Sequence, residues 1–147
     1  MIPEFVRAWD ANKDKLKYHI ATHKMKEYSE YEDLVRLLFE IVINPYFRKR
    51  NEDIYNVGEL QVIGDGDCTG TAVFILPVSP HSQWQDDYIN SHDDYVFTHN
   101  KYGSCAGCDT LMGIQHYQEG TPTEKQIDEH MTLCLHLLQR CKRISDE

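Results

Sequence analysis

The chain is 147 residues long and 41% apolar, has nine Tyr, five Phe and two Trp, and carries a net charge of −9. That length supports a real core without disulfide staples, and that apolar content excludes a disordered chain. The acidity argues against binding double-stranded nucleic acid, and no apolar run approaches the roughly 20 residues of a bilayer span.

Ile2, Phe5, Val6, Trp9, Leu16 and Ile20 recur at near-helical spacing, which predicts an amphipathic helix over 3–22 with Pro3 in its first turn. Thr22 to Tyr28 is polar and reads as a loop. Ser29 and Glu32 have the spacing of a capping box. Tyr31 to Ile43 is apolar almost all round, the pattern of a central buried helix, and Asn44-Pro45 is expected to end it. Arg48-Lys49-Arg50 is too short for a nucleic-acid patch and reads as a helix-end or surface cluster.

The apolar period then changes. Leu60 and Val62 alternate with Glu59 and Gln61, which predicts a half-buried strand, and Gly64-Asp65-Gly66-Asp67 reads as a turn into a second strand at Thr71 to Leu76. The run Asp65 to Gly70 imitates the first half of a calcium loop. Leu76 stands where the chelating Glu should be, so a hairpin turn is the better reading. Ser79 to Asp94 reads as a long polar loop carrying Trp84 and Tyr88. Tyr95 to Asn100 alternates as a third strand, with Tyr95, Phe97 and His99 on one face.

Leu111, Met112 and Ile114 suggest a short helix, weakened by Gly113. Thr121-Pro122-Thr123-Glu124 has the form of a second capping box. It opens a last helix over about 122–144 with the stripe Ile127, Met131, Cys134, Leu138 and Cys141. Cys134 and Cys141 are therefore core, while His130 and His136 fall off the stripe and are expected in solvent. The fold class is α+β in a single domain over 1–147. It has two N-terminal helices, a small antiparallel sheet of about three strands and two C-terminal helices.

Charge is unevenly spread. Residues 51–120 hold eleven acids and one base, Lys101, whereas residues 1–50 hold eight acids and ten bases. Such a middle section suits a basic protein surface or a divalent cation, or is a solvated acidic face. The five cysteines cannot all pair within the chain. No basic segment followed by an apolar one opens the sequence, so reduced thiols in the cytoplasm are expected.

The segment most suggestive of chemistry is Tyr102-Gly103-Ser104-Cys105-Ala106-Gly107-Cys108-Asp109. Structurally, Gly103 and Gly107 would permit a tight strand-to-helix turn, Ser104 would cap the helix, and both cysteines would pack as small hydrophobes. Three chemical readings stand beside that one. Cys105, Cys108, His99 and Cys68 could form a zinc site, although the second Cys pair common in such sites is missing. The pair could be redox-active. Cys105 and His99 could form a nucleophile–base dyad oriented by Asp109, Asp93 or Asp94.

This segment, continued through Thr110 and Leu111, resembles a motif in an uncharacterised family of small proteins from bacteriophages and prophage-bearing bacteria. The resemblance extends to Leu38–Pro45 and Met131–Gln139. It implies a small accessory protein working in a host cell, and implies no catalytic residue. The leading functional expectation is a non-enzymatic binding protein acting on a host protein, such as one of host defence. Its contact surface would be Trp84, Asp86, Asp87, Tyr88, Asp93, Asp94 and Tyr102, with aromatic anchors and carboxylates for steering. The alternatives are a Cys-x-x-Cys metal or thiol protein and a sponge for a small signalling nucleotide, which would rely on helix N-termini for its phosphates.

Overall fold

The computed structural model describes residues 2–48, 52–64, 66, 69–79 and 95–143. Trp84, Asp86, Asp87, Tyr88, Asp93, Asp94 and Cys68, and all of the expected polar loop but Ser79, lie outside the described residues. Helix α1 spans Pro3–Thr22, as its apolar spacing predicts, and buries Phe5, Ala8, Trp9, Leu16 and Ile20. Each large side chain fully buried in this way contributes roughly 2 kcal/mol. A 3-10 turn at Met25–Tyr28 replaces the expected loop, because Met25 and Tyr28 are apolar enough to bury completely.

Helix α2 spans Tyr31–Leu37, continues as a π-helical stretch over Leu38–Ile43, and resumes as α3 at Asn44–Phe47. The helix therefore does not stop at Asn44-Pro45. Pro45 falls in the first turn of the resumed α-helix, where a missing N–H is tolerated. The π stretch shifts the hydrogen-bond register, and the Asn44 N–H donates to Phe39 O. Buried Asn12 of α1 donates through Nδ2 to Val42 O at 3.0 Å, which satisfies a carbonyl of that stretch. The expected Ser29/Glu32 box is displaced by one residue: the Asp33 carboxylate accepts from Glu30 N at 3.1 Å.

The sheet is an antiparallel meander in the order β1-β2-β3-β4, formed by Gln61–Gly64, Gly70–Pro77, Tyr95–Tyr102 and Lys142–Arg143. Val62 pairs with Phe74, and Phe74 with Thr98. One face turns Ala72, Phe74 and Leu76 inward with Val96, Thr98 and Asn100. Strand β1 is not half-buried as expected. It is an edge strand, paired with β2 alone among the described strands, and its side chains are exposed, Val62 lining a cavity rather than a packed core.

Helix α4 spans Thr110–Gln115 and α5 spans Glu124–Gln139. The capping box of α5 is two residues later than expected. The Gln126 side chain accepts from Thr123 N at 2.9 Å, and Thr123 Oγ1 accepts from Gln126 N at 3.2 Å. The helix also stops earlier. Beyond Arg140 the chain straightens, and Lys142–Arg143 covers the free edge of β3 as a fourth strand. Cys141 lies past the end of the helix and is still buried, so its apolar signal outlasts the helix.

His130 is not in solvent. It is fully buried with Leu133, Cys134, Leu137 and Leu138, so the inward face of α5 is rotated toward His130 from the expected stripe; His136 is exposed. Helices α1, α2 and α5, the π stretch and strands β2 and β3 share one hydrophobic core.

Candidate functional site

The site begins at Asp109, whose Asp-before-apolar context suits a helix cap. It caps α4, with Oδ1 accepting from Met112 N at 3.0 Å, so Ser104 does not. The same oxygen accepts from the Tyr31 hydroxyl at 2.9 Å, and Oδ2 accepts from Gly103 N at 2.8 Å. The carboxylate is buried and joins the end of β3, the start of α2 and the start of α4. With its oxygens so occupied it does not orient an imidazole. Burial, reinforced by the neighbouring carboxylate, pushes the Tyr31 phenol up to about 12.

Between Gly103 and Asp109 the chain makes a turn outside any helix. Cys105 O accepts from Cys108 N at 3.1 Å and from Asp109 N at 2.9 Å. Both cysteines are exposed, which overturns the expectation that they pack as small hydrophobes; the nearest buried residues that follow in sequence are Asp109 and Leu111. Their Sγ atoms lie 2.7 Å apart, and Cys108 Sγ accepts from Cys105 N at 3.1 Å. Hydrogen bonding from the Cys105 thiol, then from the backbone at Cys105 and Ser104, lowers the Cys108 thiol below the ordinary cysteine value.

Gly103 is required by close approach: a Cβ there would meet Cys108 O at 2.5 Å. Gly107 has open space around it and no positive φ, so the turn does not depend on it. Among the described residues no three His, Cys, Asp or Glu side chains gather as a metal would need. His99 is exposed on β3, and Cys68 lies outside the described residues.

Beside this turn is a cavity of about 470 Å³. Its floor is apolar, made by Phe74 and Ala72 of β2, Val62 of β1, and Leu111 and Met112 of α4. Its charged lining residues are Glu30, Glu32 and Asp109, and no Lys, Arg or His lines it among the described residues. Glu32 has a neighbour in Arg36, 3.4 Å away. Burial, then the charges of Asp33, Glu32 and Asp109, raises the Glu30 carboxyl above its ordinary value. Tyr102 lines the wall with its hydroxyl engaged at Gly66, donating to the carbonyl and accepting from the N–H.

The rim carries backbone strain. His116 and Tyr117 follow α4 at φ 48° and 61°, a left-handed conformation costly for residues other than glycine. They leave the Tyr117 ring 70% exposed at the cavity mouth. Tyr31, Glu30, Glu32 and Tyr117 were not legible as site residues, since α2 and the rim meet only through the tertiary fold. A wider depression of about 680 Å³ between α4 and α5 mixes Glu124, Asp128 and Glu129 with Lys125 and His136.

Of the sequence-predicted residues, the fold brings Cys105, Cys108 and Tyr102 into one neighbourhood with Asp109 and leaves His99 on the strand leading in. No protein-family model matches this chain, and neither a curated protein nor a solved structure matches it. Among the described residues no helix is long and apolar enough to cross a membrane.

Proposed function

We propose that this chain is a non-enzymatic binding protein that takes a basic, partly apolar segment of a partner protein into the cavity between α2, α4 and the β1–β2 hairpin. The observation that carries this reading is the lining itself: an apolar floor beside the carboxylates of Glu30 and Glu32, with no cationic side chain among the described lining residues and Arg36, outside the lining, 3.4 Å from Glu32. The volume lies in the range of pockets that enclose a ligand group. A lysine or arginine would lay its methylene stem on Phe74, Leu111 and Met112 and place its charge between Glu30 and Glu32. Burial is the main cause that raises Glu30; the added cation would offset the smaller contribution from the neighbouring carboxylates. Tyr117, exposed at the mouth, would be an aromatic anchor.

The same lining disfavours an anionic nucleotide, since phosphates would meet only like charge there. The resemblance to phage-borne proteins supports a host protein as the partner and the host cytoplasm as the setting. The chain's net charge of −9 would favour the approach of such a cationic segment.

A short amidated peptide alternating arginine and leucine tests the cavity. It should bind with an affinity that falls as salt rises and weakens several-fold in the double variant Glu30→Gln, Glu32→Gln. Recovery of a host protein by pull-down should weaken in the same variant. Unchanged binding and recovery would remove the cavity from the function, and tighter binding of a dinucleotide than of the peptide would overturn the reading.

A further inference from the structure

The Cys105–Cys108 turn stands outside the cavity's proposed role. Its two sulfurs are exposed, face each other at 2.7 Å, and are held by backbone rather than by a hydrophobic shell. Two rigid anchors fix the turn. Asp109 holds Gly103 N at 2.8 Å, and the Cys105 carbonyl holds the amides of Cys108 and Asp109. A disulfide needs sulfurs about 2.05 Å apart, so a small rotation of two side chains closes the gap without moving the turn. Cys108 Sγ also receives the Cys105 N–H at 3.1 Å, a contact that favours negative charge on that sulfur. The other two described thiols, Cys134 and Cys141, are fully buried and cannot compete.

We infer that Cys105 and Cys108 form a reversible dithiol–disulfide couple that exchanges with external disulfides, with Cys108 as the attacking sulfur. Cys108 thiolate attacks one sulfur of the external disulfide, forms a mixed disulfide and releases the other sulfur as thiolate. Cys105 gives its proton to solvent and attacks Cys108 Sγ, which closes the Cys105–Cys108 bond and releases the second external sulfur. Two electrons pass from the chain to the external disulfide, which ends as two thiols. The couple does not depend on what fills the cavity.

The test uses the full chain in glutathione buffers of graded oxidised-to-reduced ratio, read by intact and peptide mass. The oxidised fraction should rise along the series with loss of two hydrogens confined to the Cys105–Cys108 peptide, and should reverse when the ratio is reversed. Cys105→Ser should trap one glutathione on Cys108 several-fold faster than Cys108→Ser traps it on Cys105. Both cysteines are exposed, and melting temperatures matching the native chain would verify that each variant is folded. A pair that stays reduced in the most oxidising buffer, or that oxidises by bonding to Cys68, overturns the couple. Equal trapping rates in the two variants overturn the assignment of Cys108. Reduction of the disulfides of insulin by the reduced chain, with loss of that activity in Cys108→Ser, extends the substrate class to protein disulfides; its absence limits the class to small disulfides.

Discussion

The Tyr31 hydroxyl donates to Asp109 Oδ1 at 2.9 Å and accepts from the Leu111 N–H at 3.1 Å, so one phenol bridges the cap of α4 and its first turn. This joint ties α2, which carries the acidic rim, to the turn that carries the thiols. Asp109 is buried and accepts three hydrogen bonds, so removing a donor leaves a buried carboxylate oxygen short of a partner. Asp109→Asn turns an amide NH₂ toward a donor and should cost about 2 kcal/mol; Tyr31→Phe should cost about 1 kcal/mol. Thermal unfolding reads this as a fall of about 3 °C per kcal/mol. The double variant should cost less than the sum, since the two residues share one bond. Strict additivity would show that the joint is not an energetic unit.

The two glycines of the turn make opposite predictions. Gly103→Ala puts a Cβ 2.5 Å from the Cys108 carbonyl oxygen, a backbone atom that cannot swing away. It should cost about 2 kcal/mol and separate the thiols, which slows disulfide closure. Gly107→Ala meets nothing within 4 Å and needs no left-handed φ. It should be neutral, or stabilising by about 0.5 kcal/mol through the unfolded chain. Denaturant midpoints and the rate of oxidation of each variant check both.

Local patterns in the sequence located most elements and misplaced their ends. Phe5, Trp9, Leu16 and Ile20 mark α1 because one face of an isolated helix repeats in the chain. The π stretch has no such mark. Its long-range side-chain partner, Asn12, lies thirty residues away in sequence and donates to Val42 O. His130 was misplaced for a similar reason: a polar residue off the apolar stripe reads as solvated until Tyr28 packs edge-on against it at 5.0 Å. Of the site, the thiols were visible as a motif. The carboxylates of Glu30 and Glu32 were not, because a cavity between α2 and the hairpin has no signature along the chain.

The strained rim is testable on its own. His116 terminates α4 in the left-handed region, donating its N–H to Met112 O at 2.7 Å, and Tyr117 stays left-handed after it. Glycine adopts that conformation at little steric cost. His116→Gly should therefore stabilise the fold by about 0.5–1 kcal/mol, measured by chemical denaturation. Tyr117→Ala should leave stability nearly unchanged, since the ring is 70% exposed, while weakening the arginine–leucine peptide. A loss of stability without a loss of binding would make Tyr117 structural.

Stability should decline at both ends of the pH scale for different reasons. His130 Nδ1–H donates to Gln126 O at 2.8 Å, which leaves Nε2 as the unprotonated nitrogen, and among the described residues Nε2 has no hydrogen-bond partner. Burial lowers its pKa below the ordinary histidine value of 6.5, against smaller opposing effects of Gln126 and Glu129. The unfolded chain therefore binds the proton first, and this contribution to stability is present above about pH 6.5 and lost as pH falls below it. At the alkaline end, burial pushes the Cys134 and Cys141 thiols up to about 12 from 9.0. Burial likewise pushes the Tyr28 and Tyr31 phenols up to about 12 from 10.0. The unfolded chain loses these protons first, so their contribution is intact below about pH 9 and disappears as pH climbs toward 12. Melting temperatures measured from pH 5 to pH 8 should rise and then level. His130→Leu should flatten the acid limb without moving the alkaline one, and an acid limb of unchanged slope in that variant would assign it to His19, whose pKa burial also lowers, or to carboxylates instead.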